Sequence, residues 1–111
     1  MPIKNKYGVA VVVDRTYNGT VYHSKAEMNY RKRLDMLTKA KGNDQVLKIE
    51  EQVVYPVIIN DIKICKYYLD FRVTYPNRIE HIDVKGVKTA MYILKKKFVE
   101  AVYPIKIIEV K

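Results

Sequence analysis

Several kinds of residue are scarce in this chain of 111 residues, and each scarcity excludes a class of protein. The single cysteine, Cys65, cannot form an internal disulfide, which suits a reducing compartment. Four glycines and four prolines are too few for long linkers, so we expect one domain spanning residues 1–111. No apolar run approaches the roughly 20 residues of a membrane span, and residues 1–6 contain no apolar signal region. We therefore expect a cytoplasmic protein with no membrane partner.

Acidic residues are scarce relative to basic ones. Twelve Asp and Glu stand against 21 Lys and Arg, which gives a formal net charge of +9. Such an excess favours a polyanionic partner, above all nucleic acid, through contacts to phosphates. The alternative is that the lysines only keep the protein in solution, because net charge does not say where the charges lie.

The pattern of apolar residues and turn signals predicts the order ββ-α-βββ-α-β. The predicted strands cover residues 7–14, 20–22, 46–59, 62–74, 79–84 and 105–110, and the predicted helices cover about 24–40 and 88–102. Asn18-Gly19 is a strong signal for a tight turn between the first two strands. Pro56 implies an edge position or a bulge in its strand. This order predicts an α/β fold, a mixed sheet flanked by two helices.

Glu27 begins the apolar stripe of the first predicted helix. Tyr30, Leu34 and Leu37 follow it at the spacing that places all four side chains on one face. A carboxylate on a face that packs against a sheet is costly to bury unless a cation or hydrogen-bond donors meet it. Ser24 offers an alternative, since its spacing from Glu27 is that of a capping box at a helix start. The two roles are compatible.

Two further acids lie within predicted strands, where aspartate is depleted. Asp70 is in the interior of one strand, while Asp83 and Lys85 project to the same face at the end of the next. Because a short turn joins the two strands, Asp70 and Asp83 can be neighbours, and the first helix can place Glu27 beside them. The alternative for Asp70 is a solvent-facing side chain paired with Arg72 or with a lysine of a neighbouring strand.

Three carboxylates and a lysine on one surface have the chemistry that phosphodiester hydrolysis needs. Carboxylate oxygens are the ligands that Mg²⁺ prefers, and the ion activates water and neutralises charge on the phosphate. A lysine adds a fixed positive charge and can orient or help to deprotonate the attacking water. The predicted catalytic residues are therefore Glu27, Asp70, Asp83 and Lys85, with the three acids as ligands of Mg²⁺, for which Mn²⁺ can substitute. Gln52 and His81 are further candidates for positions beside this site.

An aspartate within a strand, followed by Asp-x-Lys at the end of the next strand, resembles the pattern of the PD-(D/E)xK nuclease superfamily. Asp70 matches the first acid, Asp83 the second and Lys85 the lysine. Glu27 matches the additional helical glutamate that many members carry. Two departures leave every ligand in place: Leu69 stands where proline is commonest, and the second acid is aspartate rather than glutamate. The resemblance implies a restriction-endonuclease-like fold.

Over residues 7–110 the chain is also similar to a family of short phage and prophage proteins of unknown function, often described as phage endonucleases. The segments that carry the similarity are Asn18-Gly19, Ser24-Lys25-Ala26-Glu27, Glu51-Gln52, Leu69-Asp70-Phe71, Asp83-Val84-Lys85-Gly86 and Lys95-Lys96-Lys97. The two resemblances imply a metal-dependent DNA endonuclease that is structure-selective, like a Holliday-junction resolvase, and that acts in the host cytoplasm if viral. Resolution needs two symmetric cuts, which implies a homodimer.

The predicted DNA-contacting residues lie on the two helices. They are Lys25 on the first helix and Lys88, Lys95 and Lys96 on the second. The predicted buried stripe of the second helix, which would leave its lysines outward, is Ala90 or Met91, Leu94, Phe98 and Val102. Each lysine alternatively belongs only to a solvated face. No motif for reading base sequence is evident, so sequence-specific recognition is not predicted.

Two other classes of function stay open. A non-catalytic DNA-binding module on the same fold would bind with steep salt dependence but would not cut. An assembly or inhibitor protein of a phage would not bind DNA. Because Asp70, Asp83 and Lys85 are all present, the nuclease is the preferred prediction.

Overall fold

A computed structural model describes residues 11–111 as a mixed α/β fold. The elements in chain order are β1 (Thr16–Tyr17), β2 (Thr20–Val21), α1 (Lys25–Leu37), β3 (Lys48–Ile59), β4 (Ile62–Thr74), β5 (Ile79–Val84), α2 (Ala90–Val102) and β6 (Ile107–Val110). Strands β1 and β2 form a small antiparallel sheet, and the main sheet has the order β3-β4-β5-β6. Only the β5–β6 pair of the main sheet is parallel. The predicted α/β class and element order are confirmed.

Two tight turns arise at residues that tolerate left-handed backbone. Asn18 and Gly19, with φ angles of 50° and 78°, join β1 to β2. Asn60 and Asp61, with φ angles of 50° and 63°, join β3 to β4. The first turn was predicted at Asn18 and Gly19, and the second fills the gap between the predicted strands at 46–59 and 62–74. Pro56 lies in β3, which is an edge strand of the main sheet, as predicted.

The predicted strand at residues 7–14 is wrong over its described part. Val12–Arg15 forms a short 3-10 helix, and residues 7–10 lie outside the described residues. The strand that pairs with Thr20–Val21 is instead Thr16–Tyr17. Valine favours strands because its side chain packs against neighbouring strands, whereas Val12 and Val13 are 52% and 77% exposed here.

Both helices are capped by a hydroxyl, and each is shorter than predicted. Helix α1 ends at Leu37, three residues before the predicted boundary at 40, and α2 begins at Ala90 rather than at Lys88. The Thr89 hydroxyl accepts a hydrogen bond from the Tyr92 backbone N–H, which fixes the start of α2. Neither helix of the described residues is long and apolar enough to cross a membrane.

The predicted buried stripe of α2 is right for Phe98, which packs against a buried cluster, but its start is wrong by about one residue. Met91 is 60% and Leu94 is 49% exposed, while Val99 is fully buried and Tyr92 packs against the same cluster. A shift of one residue rotates a helix face by about 100°. Lys95 and Lys96, which were predicted to point outward, are consequently half-buried along the helix.

The buried residues form two clusters, one beside each helix. The cluster beside α1 includes Met28, Leu34, Phe71, Val73, Ile82 and Val84. The cluster beside α2 includes Tyr55, Val57, Tyr67, Leu69, Val99 and Ile107. Leu69, Asp70 and Phe71 are consecutive in β4, yet all three are buried. Because Leu69 belongs to one cluster and Phe71 to the other, Asp70 lies where the two clusters meet.

Candidate catalytic and metal-binding site

Strands β4 and β5 separate where the two strand aspartates lie. The register of this pair is described as far as Phe71 and Ile82, and the next positions toward the site are Asp70 and Asp83. There the backbone N–H of Asp70 donates to Oδ1 of Asp83 at 3.1 Å, and the backbone N–H of Val84 donates to Oδ2 of Asp70 at 2.9 Å. Each carboxylate thus accepts a hydrogen bond from a backbone N–H of the other strand, and these two bonds link β4 to β5 beyond their last described pair.

Glu27 lies in the first turn of α1. Its backbone N–H donates to the Ser24 hydroxyl at 3.1 Å, so the predicted N-cap is confirmed. The other half of the predicted capping box is wrong, because Oε1 of Glu27 accepts from the backbone N–H of His23 instead of that of Ser24. The Glu27 side chain is turned into the protein toward Asp70 and is only 4% exposed.

Glu27, Asp70 and His23 form a cluster that could hold a cation. One ligand atom from each lies within 4.8 Å of the others. The three residues line a cavity of about 100 Å³, together with Glu51 and Gln52. The predicted meeting of Glu27 with Asp70 is therefore present. His23 was missed, although its position four residues before Glu27 and directly before the helix cap was a usable signal.

The electrostatics of this cavity favour one shared proton. Burial, and after it a hydrogen bond with the Asp70 carboxylate, together raise the pKa of the Glu27 carboxyl to about 8. The positive charge of Lys85 opposes this rise only in part. At neutral pH, Glu27 accordingly keeps its proton and shares it with Asp70. Two negative charges in this cavity need a compensating positive charge.

Asp83 is fully buried and turned away from that cavity. One of its carboxylate oxygens accepts from Asp70, and the other accepts from the Tyr67 hydroxyl. Burial raises the pKa of the Asp83 carboxyl, while the Asp70 N–H and the Lys85 charge oppose the rise. The structure thus connects Asp83 to Asp70 through the backbone, and Asp83 is not among the described residues that line the cavity.

Lys85 follows β5, and its backbone N–H donates to the Val110 carbonyl at 2.8 Å. Its ammonium lies 4.8 Å from the centre of the Tyr92 ring. From this position its charge acts on both Glu27 and Asp83, whose pKa values it lowers in part. Lys85 therefore lies close enough to serve the predicted site, although it does not line the cavity that holds Glu27.

Gln52 has a strained backbone, and its side chain contacts the site. Its φ angle is 51°, a left-handed value that an L residue adopts at a cost. Its side-chain amide donates to Oδ1 of Asp70 at 3.3 Å. The predicted position of Gln52 beside the site is confirmed.

His81 and Arg72 have other contacts. His81 is half-buried with its ring centre 6.2 Å from that of Tyr55, and burial lowers the pKa of its imidazole. His81 is not part of the cluster that Glu27 forms among the described residues. Arg72 binds Glu50 through two hydrogen bonds of 2.9 and 2.5 Å, so the alternative in which it pairs with Asp70 is wrong.

The predicted DNA-contacting lysines differ in their surroundings. Lys25 is exposed at the start of α1. Lys88 and Lys96 both pair with Glu109, at 3.3 and 3.6 Å. Lys95 lines a groove between α2 and β4 that also contains Lys85.

Comparison with curated proteins gave no match, and comparison with solved structures gave none either. Membership of the PD-(D/E)xK superfamily therefore stays a prediction. A family model matches residues 4–110, which is nearly the whole chain, and it describes proteins whose function is not known. The chain belongs to the family described as "Protein of unknown function (DUF1064)".

Proposed function

We propose that this chain is a metal-dependent deoxyribonuclease of the PD-(D/E)xK type, which hydrolyses phosphodiester bonds. The observation that carries the proposal is the shared cavity of Glu27 and Asp70, two buried carboxyl groups from different elements. They lie beside the point where β4 and β5 separate, within reach of the Lys85 charge. Strongly perturbed acids in a cavity are typical of functional sites.

The donor set of this cavity fits a hard divalent cation. Carboxylate oxygens suit Mg²⁺ and Mn²⁺, and the pKa of Glu27 is raised first by burial and then by the neighbouring Asp70 carboxylate, whose charge a bound cation would offset. Glu27 and Asp70 would hold the ion, with His23 at the mouth of the cavity. When bound, the ion would neutralise charge on the scissile phosphate and activate the attacking water.

The remaining residues act on the position of these acids and on the substrate. The Gln52 amide orients the Asp70 carboxylate, and Asp83 holds the Asp70 backbone N–H. Lys85 supplies a fixed charge that can orient the attacking water or the phosphate. Asp83 matches the second acid of the motif, and its carboxylate already contacts the Asp70 backbone.

The finer proposal concerns the substrate. The net charge of +9 and the resemblance to short phage proteins support a structure-selective endonuclease acting on branched DNA, like a Holliday-junction resolvase. Paired cuts across a junction require two sites, which a twofold homodimer would supply. If four-way DNA were cut in one strand only under every condition, this finer proposal would be contradicted, and the proposal of nuclease activity would stand.

The proposal is tested by cleavage of linear, flap and four-way DNA with added Mg²⁺ or Mn²⁺. Asp70→Asn and Asp83→Asn should each lower the rate by at least about 100-fold, the scale of loss for a catalytic electrostatic group. DNA binding in EDTA should stay within a few-fold of wild type. Asp61→Asn, at the exposed β3–β4 turn, changes the charge equally and should leave cleavage unaltered. Undiminished cleavage in excess EDTA would overturn the proposal.

A second candidate is a non-catalytic DNA-binding module. The observation that favours it is the Asp83 carboxylate, whose two oxygens are already bonded to Tyr67 and to the Asp70 backbone. This function predicts binding that weakens steeply with salt, with no cutting in any divalent metal.

A further inference from the structure

A basic, aromatic groove runs between β4 and α2. The basic and aromatic residues that line it are Lys66, Tyr67, Tyr68, Lys85, Tyr92 and Lys95. No acidic side chain lines this groove among residues 11–111. The groove is separate from the cavity that contains Glu27, with which it shares no lining residue.

Two of the three lysines of this groove have no acidic partner among the described residues. By contrast Lys96, which lies on α2, and Lys88, which precedes it, share the carboxylate of Glu109. Lys66 and Lys95 have no carboxylate oxygen within 4.0 Å in the part of the chain that the structure describes. Three ammonium groups along one groove therefore form an attractive site for an anion with several charges.

The exposed ring of Tyr68 adds a second kind of contact. Tyr68 is 55% exposed, an unusual exposure for a large aromatic side chain in the middle of a long strand. An exposed ring beside lysines is the arrangement on which unpaired bases stack while their phosphates are neutralised. Bases within a duplex are already stacked on each other and cannot use it. The combination indicates a single strand.

The groove is open to solvent rather than closed around a cavity. Pockets that bind small molecules surround most of the ligand. An open groove can instead hold one segment of a longer polymer.

The groove also borders the candidate catalytic acids. Tyr67 lines the groove, and its hydroxyl donates to the Asp83 carboxylate. Lys85 lines the groove, and its charge acts on Glu27. A strand lying in the groove would accordingly lead toward the acids.

We propose that this groove binds an unpaired segment of DNA, with a base stacked on Tyr68 and phosphates contacted by Lys66 and Lys95. The choice of DNA over RNA rests on the proposed nuclease function, whereas the preference for an unpaired strand rests on the groove itself. An enzyme for branched or flapped DNA would use this groove to hold the strand that leaves the duplex.

The test is the binding of a fluorescein-labelled oligothymidylate by anisotropy, in EDTA so that no cutting occurs. An oligonucleotide of about 16 nucleotides covers the upper range of single-strand sites on small domains. Tyr68→Ala should weaken binding by about 5- to 150-fold, whereas Tyr68→Phe, which keeps the ring, should stay close to wild type. A duplex of the same length should respond little to Tyr68→Ala.

The lysines are tested with matched controls. The double variant Lys66→Ala/Lys95→Ala should reduce the slope of log affinity against log salt by about 1.4, the value for two phosphates of a single strand. Lys63→Ala/Lys97→Ala removes the same charge from exposed positions of the same two elements and should change the slope much less. Thermal unfolding checks that all variants keep their fold.

The outcomes separate this proposal from the nuclease function. Equal losses in the two double variants, an unaffected Tyr68→Ala, or equal sensitivity of single strand and duplex would each overturn the groove proposal. If the protein cleaved DNA with a metal but did not bind the oligothymidylate, the groove proposal would also be overturned. If the predicted binding is found but no metal supports cleavage, the groove proposal stands and the nuclease function fails.

Discussion

Asp70 and Asp83 are tied together by their own backbones. The Asp70 N–H donates to the Asp83 carboxylate, and the Asp70 carboxylate accepts from the N–H of Val84, the residue after Asp83. The position of each acid therefore depends on the other. Substitution of either aspartate changes the separation of β4 and β5 as well as the charge of the site, so conservative Asn variants give the clearest tests.

The Tyr67 hydroxyl should be important for stability. Tyr67→Phe removes the donor to a fully buried Asp83 oxygen, and an unmade buried hydrogen bond costs about 1–3 kcal/mol. We expect the free energy of unfolding in urea to fall by that amount. Tyr68→Phe removes a hydroxyl from the neighbouring exposed ring and should change it by less than about 0.5 kcal/mol. Equal effects of the two variants would contradict the role of the Tyr67–Asp83 bond.

The stability of the metal-free protein should fall as the pH rises from 6 to 8. The folded protein keeps the Glu27 proton up to a pKa of about 8, whereas the unfolded chain loses it near 4.5. Between these values the folded state binds more protons, so rising pH destabilises it. The expected fall is about 1–3 kcal/mol over these two pH units, since one pKa unit corresponds to about 1.4 kcal/mol. Urea unfolding at several pH values in EDTA measures it.

Glu27→Gln is the control for this pH dependence. Glutamine resembles the protonated acid but does not titrate, so the variant should have a flatter profile and should be relatively more stable at pH 8. Saturating Mg²⁺ should reduce the fall for wild type, because a bound cation replaces the proton. Parallel profiles of wild type and Glu27→Gln would contradict the shared-proton arrangement.

Glu27 and Asp70 were accessible from the sequence because each interrupts an apolar pattern. A helix period assigns Glu27 to the buried face, and an aspartate inside a strand needs a reason. Local patterns thus located both acids. His23 was not accessible in the same way, because its approach to Glu27 depends on the path by which the chain enters α1.

The orientation of α2 was not predictable from periodicity. Periodicity favours the stripe that contains Met91 and Leu94, because the second stripe, which contains Tyr92 and Val99, has Lys95 and Lys96 between them. The second stripe is buried because Tyr92 packs beside Tyr67 and Val99 fills the cluster beneath it. That choice depends on tertiary contacts with β3 and β4, which a single helix sequence does not contain.

Glu109 should weaken DNA binding because its carboxylate pairs with two lysines. Glu109→Gln frees Lys88 and Lys96, so affinity for duplex DNA in EDTA should rise about two- to fivefold, the scale of an exposed ion pair. Asp61→Asn produces the same change in net charge at the distant β3–β4 turn and should have less effect. Equal gains from the two variants would show that only net charge matters, and they would remove Lys88 and Lys96 from the DNA surface.

Gln52 should serve the site at a cost in stability. Gln52→Gly and Gln52→Ala both remove the amide that contacts Asp70, but only glycine adopts a φ of 51° without strain. We therefore expect the glycine variant to be more stable than the alanine variant by about 1–2 kcal/mol in urea unfolding. Both variants should lose cleavage activity to a similar extent, because activity depends on the amide and stability on the backbone.

The comparison of these two variants separates strain from contact. If the glycine and alanine variants were equally stable, the left-handed backbone at residue 52 would not be strained. If both variants cut DNA as fast as wild type, the amide would not orient Asp70 for catalysis. Two results together would show that the strained backbone at Gln52 serves the site: a glycine variant more stable than the alanine variant, and slower cleavage by both variants than by wild type.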